Sequence, residues 1–227
     1  MMTGVPAPPG GTVLERAARG AAEGRHRAGA LLHRVTDRRI ALALVMEPEV
    51  PRERCAAMLL VAQLAASEAL AALGPPETES AHRWSGELLV NGAGCGRVEG
   101  TMPSEVRGEG GGESPPDWLA VSVTLLRALD DDPGLDPDRT SVNEELGVVD
   151  PEALIETVAR HWMLWLHRWD TEGMAPVARA WEKRSADRMA PLAGGAYLGL
   201  SEAGDLLLAG EGGATATASL LGQWRVS

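Results

Sequence analysis

The sequence predicts an α+β protein: a mixed β-sheet flanked by helices, with a small β cap at its C-terminal end. Three features lead there. Leu88, Leu89 and Val90 form an apolar run that ends on Asn91-Gly92, the dipeptide that accepts positive φ at both centres of a two-residue hairpin turn. Two segments, opening at Pro51 and at Pro151, repeat apolar residues at three- and four-residue steps, the spacing of a helix face turned to a core. Beyond residue 195, short apolar runs alternate with Gly- and Ser-bearing turns, which reads as a few small strands.

Taken in order, the chain opens on Met-Met-Thr-Gly-Val-Pro-Ala-Pro-Pro-Gly-Gly, which has neither the basic start nor the apolar core of a signal peptide and reads as a flexible lead-in. Thr12-Val13-Leu14-Glu15 is a capping-box pattern and predicts a helix over 13–23 that Gly24 ends. Apolar runs at 30–35 and 40–46, separated by Thr36-Asp37-Arg38-Arg39, predict two antiparallel strands and a short turn. From Pro51 a long helix follows, with Cys55, Met58, Leu59, Ala62, Ala66, Leu70 and Leu73 on one core-facing stripe, until Gly74-Pro75-Pro76 stops it.

Residues 80–102 then read as two strands and a tight turn, the pair 84–90 and 94–101 lying antiparallel in the centre of the sheet. Gly92, Gly94 and Gly96 mark a bulge or a close approach. The stretch 103–116, with Gly108, Gly110, Gly111 and Gly112, is a mobile loop, and 118–126 is a further strand of the same sheet. Asp130-Asp131-Asp132-Pro133 lacks the alternating ligands of a calcium loop and reads as a solvated acidic turn. Asp150 caps and Pro151 opens a helix with Leu154, Val158, Trp162, Trp165 and Trp169 on one stripe, and a second helix runs on to Trp181 and Lys183. A tryptophan stripe at helical spacing is core. Strands at 196–200, 206–208 and around 214–220 complete the cap; its about 40 residues are too few for a separate core, so it packs on the main domain.

Composition narrows the function. With 227 residues and 44% apolar content, the chain can bury a sizeable core. A net charge of -11 with no basic stripe excludes nucleic-acid backbones and anionic membrane surfaces as partners. The apolar stretch 58–73 is interrupted by Gln63, Ser67 and Glu68, so no bilayer span is expected. Two cysteines, Cys55 and Cys95, make no disulfide framework and fit a reducing cytoplasm. The chain has 7 Trp, 1 Tyr and no Phe, so indoles supply nearly all aromatic volume.

Arg83-Trp84-Ser85-Gly86-Glu87-Leu88-Leu89-Val90-Asn91-Gly92, followed by Cys95-Gly96-Arg97-Val98, resembles the central hairpin of the biotin/lipoate protein ligases, R-W-P-N-D-[hydrophobic]-x-V-x-x-x-K-x-G-G-[IL]-L. Arg139-Thr140-Ser141-Val142-Asn143-Glu144-Glu145-Leu146-Gly147 is similar to the A-x-S-L-x-E-x-x-G segment of that family, and the helix pair after it keeps the family's order. The resemblance implies a class II synthetase/biotin ligase-like domain over 1–184 and a small SH3-like C-terminal β domain over 185–227. It also implies an activity: joining biotin or lipoate to ATP as an acyl-adenylate, with Mg²⁺, and passing the acyl group to a carrier-protein lysine. Arg83, Trp84, Glu87, Gly96 and Arg97 are the ligand-binding residues it designates.

The chain departs from the family where the chemistry is done. Negative charge builds on the phosphoryl oxygens during adenylation, and a positioned cation must meet it. The family's hairpin lysine falls on Gly94, its second glycine on Arg97, and the chain's one lysine, Lys183, is far away in sequence. Arg83 or Arg97 offers charge, though a planar guanidinium is not a conservative substitute for a compact ammonium. The family's glycine/arginine loop follows the first strand of the hairpin, where this chain has only Thr36-Asp37-Arg38-Arg39; Gly24-Arg25-His26-Arg27-Ala28-Gly29 lies before that strand and reads as a helix C-cap. No catalytic residue is therefore assigned. The five histidines lack metal-ligand spacing, and no nucleophile elbow or dinucleotide fingerprint is present. The sequence thus points to a divergent ligase-like protein with a retained ligand pocket, ATP, Mg²⁺ and biotin or lipoate entering only if the family activity persists. Candidate partners are a small acyl ligand and an acyl-carrier domain. The alternatives are a catalytically silent binding or regulatory protein and a carrier-protein interaction partner on the same scaffold.

Overall fold

The computed structural model describes residues 3–6, 10–104, 114–129, 136–188, 195–210 and 214–226. The triple aspartate turn and most of the glycine-rich loop at 103–116 lie outside the described residues. Among those described, eight strands form one sheet in the order β1-β2-β3-β7-β6-β5-β4 with β11 on β6, and three strands, β8–β10, form a second.

The capping box forms as the sequence predicts. Thr12 Oγ1 accepts the Glu15 N–H at 3.1 Å, Glu15 Oε2 accepts the Thr12 N–H at 2.8 Å, and α1 (Val13–Ala22) follows. Before it, β1 (Thr3–Pro6) pairs in parallel with β2 (Ala30–Val35), which corrects the expectation of an unstructured lead-in. Parallel edge pairing uses only backbone groups, so Thr-Gly-Val-Pro carries no side-chain alternation that would announce it. β2 and β3 (Arg39–Met46) form the expected hairpin, and β3 pairs with β7 (Leu119–Leu126).

The single helix expected from Pro51 is two: α2 (Arg52–Cys55) and α3 (Met58–Leu73). They divide at Ala56 and Ala57, whose N–H groups bond three residues back to Glu53 and Arg54, both at 3.3 Å. Nor does α3 carry one stripe: it lies between the sheet and α5 (Pro151–Glu172) with α6 (Met174–Arg184), and twelve of its residues are buried around the full circumference. The segment Arg52–Leu73 is apolar enough to span a bilayer, but 78% of its most apolar 18 residues are buried inside the protein, the mark of a core helix. Trp162, Trp165, Trp169 and Trp181 pack in the same cluster, with Trp165 Nε1 donating to Glu68 at 2.8 Å and Trp181 Nε1 to Gln63 at 2.6 Å.

The two strands expected over 80–102 are three. β4 (Ser80–His82) and β5 (Glu87–Val90) are separated by a turn in which Gly86 adopts φ 97, its N–H bonds Arg83 O at 2.9 Å, and the Arg83 N–H bonds Glu87 O at 2.9 Å. Asn91 and Gly92 take φ 49 and 88 and lead into β6 (Ala93–Met102), which lies antiparallel between β5 and β7. The β5–β6 register shifts between Leu88 and Leu89, a bulge at the glycines. Ser141 and Glu144 form a second capping box at the head of α4 (Val142–Leu146).

β8 (Ala196–Leu200), β9 (Leu206–Ala209) and β10 (Thr215–Ala218) are an antiparallel meander. Their Leu206 and Leu208, with Leu220 and Trp224 beyond, join the main core cluster, so the cap packs on the larger unit. The chain then returns to the large sheet, where β11 (Arg225–Val226) pairs in parallel with β6 at Thr101 and Met102.

Candidate functional site

Strand alternation gives the large sheet two unlike faces. Ile40, Leu42 and Leu44 of β3, with Val121, Val123 and Leu125 of β7, enter the core under α3 and α5. Ala43, Val45 and Ala120 face the other way and are covered by Val13, Leu14, Ala17 and Ala18 of α1. At the N-terminus of α1 that cover stops. There the sheet presents Ala41, Ser122, Thr124 and Leu126, and a cavity of about 580 Å³ opens above them. Its walls carry Thr12, Arg34, Arg39, Glu87, Gly94, Gly96, Arg97, Glu99 and Arg139.

Positive charge dominates this cavity in a chain whose net charge is -11. Glu87 is 2.9 Å from Arg83, and Glu99 is 2.5 Å from Arg225, so both wall carboxylates already have a cation. Arg34 donates to Gly11 O at 2.9 Å and Arg97 to Ser85 O at 3.3 Å. Arg39 and Arg139 are exposed, and among the described residues neither guanidinium has a hydrogen-bond or ion-pair partner. Such an arrangement attracts a carboxylate or phosphate. It does not fit a protein-borne magnesium ion, because Glu87 and Glu99 are engaged by arginines and, among the described residues, no three acidic, His or Cys groups converge.

Two glycines shape the wall. Gly94 donates its N–H to Asp138 O at 2.8 Å and accepts the Thr140 N–H at 3.0 Å, a bridge that sets Arg139 beside it. A Cβ at Gly94 would lie 2.9 Å from Glu87 Oε1 and 3.3 Å from Asp138 O, so the glutamate occupies the space that a side chain there would enter first. A Cβ at Gly96 would fall 2.5 Å from the Thr124 carbonyl oxygen, closer than any side chain tolerates.

The residues singled out by sequence divide in space. Glu87, Gly96 and Arg97 line the cavity. Arg83 stands behind Glu87, 3.7 Å from Asp187 Oδ1. Trp84 goes to the opposite side: it is 8% exposed, its Nε1 donates to Gly204 O of the cap at 3.2 Å, and its backbone N–H donates to Asp187 Oδ2 at 2.5 Å. Burial raises the Asp187 pKa, against the Trp84 N–H and Arg83, which lower it. Of the run Gly24–Gly29, Arg25 pairs with Glu23 and Arg27 with Glu47, away from the cavity.

Sequence reasoning missed Arg34, Arg39, Glu99 and Arg139. Arg34 and Arg39 flank the clipped turn, and two-residue alternation with Arg97 would have put Glu99 on the site face. Arg139 opens the segment that resembles the family's A-x-S-L-x-E-x-x-G run, but only its bridge to Gly94 brings it to the cavity. The thiols take no part: burial pushes Cys55 up to about 11 and Cys95 up to about 12, and both are unpaired.

Residues 1–183 match the biotin/lipoate A/B protein ligase family. A biotin–(acetyl-CoA-carboxylase) ligase of Paracoccus denitrificans is 31% identical over 182 residues, 75% of this chain and 73% of that protein. A crystal structure of a biotin protein ligase-like protein of unknown function from Silicibacter sp. TM1040 superposes with a TM-score of 0.87 at 31% identity, covering 99% of this chain and 96% of that one. The Aquifex aeolicus biotin protein ligase in complex with biotin and ATP has a TM-score of 0.71 at 17% identity, covering 96% of each chain.

Proposed function

The chain belongs to the biotin/lipoate A/B protein ligase family, and from that premise we propose that it binds a biotin- or lipoate-class carboxylate, free or as its adenylate, in the arginine-walled cavity while forming the adenylate very slowly or not at all. The observation that carries this reading is the pairing of opposite features in one cavity. Arg39, Arg97 and Arg139 offer charge to an anion, whereas Gly94, where the resemblance places the family's lysine, has a carboxylate over it.

In adenylation the ligand carboxylate oxygen bonds to the α-phosphorus of ATP, the bond to the β-phosphoryl oxygen breaks, and pyrophosphate leaves with that electron pair. Charge grows on the equatorial oxygens, where one preorganised donor is worth about 10²- to 10³-fold in rate. Here the nearest side chain to a Cβ at Gly94 is the Glu87 carboxylate, partly neutralised by Arg83. The Thr36–Arg39 connection, closed by the Thr36 N–H to Arg39 O bond at 2.9 Å, is too short to fold over an adenylate and exclude water. Binding survives these losses better than turnover, because ground-state attraction between an anion and a guanidinium needs no lid.

An acyl-carrier domain is the partner of this reading, and the P. denitrificans relative, a ligase for acetyl-CoA carboxylase, supports it. A cytoplasmic location is part of it too, supported by two buried, unpaired thiols.

The test is calorimetry with biotin, lipoate, octanoate, ATP and biotinyl-adenylate, together with biotin- or lipoate-dependent pyrophosphate exchange. Binding of a carboxylate or its adenylate with exchange at or near background is the expected result. Robust exchange abolished by Arg97→Ala or Arg83→Ala would make it a working ligase, and no binding of any ligand would favour a carrier-interaction role.

A further inference from the structure

The last strand of the large sheet ends at the cavity wall. β11 places Arg225 beside Thr101 of β6, on the strand where Arg97 and Glu99, two residues apart, share a face. Arg225 Nη2 is 2.5 Å from Glu99 Oε1, and Arg97 Nε is 4.0 Å from the same oxygen. One carboxylate therefore has two guanidinium neighbours and takes the one that β11 supplies. Burial fixes none of them: the side chains of Glu99, Arg97 and Arg225 are 30%, 58% and 62% exposed. The other acid bordering Arg225, Glu15, is held by the Thr12 N–H at 2.8 Å.

We infer that Arg225 is a positioning residue for the anion site: by holding Glu99 it leaves Arg97, whose Nη2 donates to the neutral Ser85 O at 3.3 Å, without a carboxylate in hydrogen-bond contact, and so the C-terminal strand sets how much positive charge the cavity offers to a carboxylate or phosphate. Without Arg225, Glu99 has Arg97 as its remaining cation, and a shift of about 1 Å turns the 4.0 Å approach into a charge-assisted hydrogen bond. The purpose of this device rests on the anion-binding reading above; its test does not.

Phenylglyoxal, which reacts with free guanidinium groups, reads the state of Arg97 in the full-length, unliganded chain when followed by peptide mass spectrometry. Arg225→Ala is expected to slow Arg97 labelling about two- to fivefold, the range that an exposed ion pair supports. Arg225→Ala combined with Glu99→Gln is expected to restore the wild-type rate, and Arg225→Lys to stay near it. Were Arg225 only an anchor for β11, its loss would loosen the wall, labelling would be unchanged or faster, and Glu99→Gln would not reverse the effect. Unchanged or faster labelling in Arg225→Ala, or no recovery in the double variant, overturns the inference. Calorimetry with biotin on the same proteins should follow the same order. If the wild type binds no biotin, lipoate or adenylate, the proposed ligand falls while the labelling order still decides the role of Arg225.

Discussion

Placing a lysine at Gly94 asks whether a cation there is what the chain lacks. The substitution is sterically possible: the new Cβ would lie 2.9 Å from Glu87 Oε1, the movable end of a side chain, and 3.3 Å from Asp138 O, which must give by a few tenths of an ångström. Crowding of this kind costs about 1 kcal/mol, within reach of a folded domain. The ammonium would arrive beside the Glu87 carboxylate, which now pairs with Arg83 at 2.9 Å, and would be neutralised by it. A preorganised charge aimed at the phosphoryl oxygens contributes roughly 3 kcal/mol, or 10²- to 10³-fold. A charge shared with a carboxylate contributes a fraction of that, and the four-residue turn at Thr36–Arg39 still leaves the adenylate open to water. Gly94→Lys alone is therefore expected to raise biotin-dependent pyrophosphate exchange less than about tenfold, and Gly94→Lys with Glu87→Gln about tenfold more. The assay is exchange at saturating biotin beside an active biotin ligase. A rise of 10²-fold or more from Gly94→Lys alone, or wild-type exchange within tenfold of the active enzyme, would refute this reasoning.

Other outcomes follow from the same geometry. Arg139→Ala removes a guanidinium with no hydrogen-bond or ion-pair partner among the described residues and should weaken adenylate or carboxylate binding by about tenfold in calorimetry, with little change in melting temperature, since one charge-assisted bond is worth about 1.5 kcal/mol or more. Gly96→Ala drives a methyl group to 2.5 Å from the Thr124 carbonyl oxygen and should lower stability in urea by about 1–3 kcal/mol while also reducing ligand affinity. His82 is buried, bonded to Ser67 at 2.9 Å and to Trp181 O at 3.0 Å, and burial lowers its pKa from 6.5 to about 4. A depressed histidine pKa means that the unfolded chain takes up the proton first, so this contribution is complete above pH 6.5, shrinks as pH falls toward 4, and amounts to about 3 kcal/mol. Melting temperatures between pH 4 and 7 should show that slope, and His82→Gln should flatten it.

Much of the fold was legible because its signals are local. A capping box at Thr12 and Glu15, an Asn91-Gly92 turn, and Asp150-Pro151 at a helix start act through groups a few residues apart; α1 and α5 begin where expected, whereas β5 begins at Glu87, three residues after the expected Trp84. The family motifs were legible for the same reason: Ser141 and Glu144, read as part of a motif, are a capping box. Signals failed where structure comes from backbone alone, as in β1 and β11, which pair in parallel at sheet margins without a side-chain pattern. They also failed at the turn over Arg83–Gly86, which sends adjacent residues apart: Arg83 to Glu87, and Trp84 to the cap.

Sequence by itself determined the α+β class, most of the elements and the family frame, in which the resemblance places Gly94 at the hairpin lysine. The tertiary structure alone decided what the cavity is made of. Arg34 and Arg39 come from one hairpin, Glu87 and Arg97 from another, Arg139 from a loop bridged to Gly94, and Arg225, bound to Glu99, from the end of the chain. Helix caps and tight turns are set by neighbours along the chain, whereas a charge cluster is set by the order and register of strands far apart in it, and that order is fixed only when the sheet closes around its core.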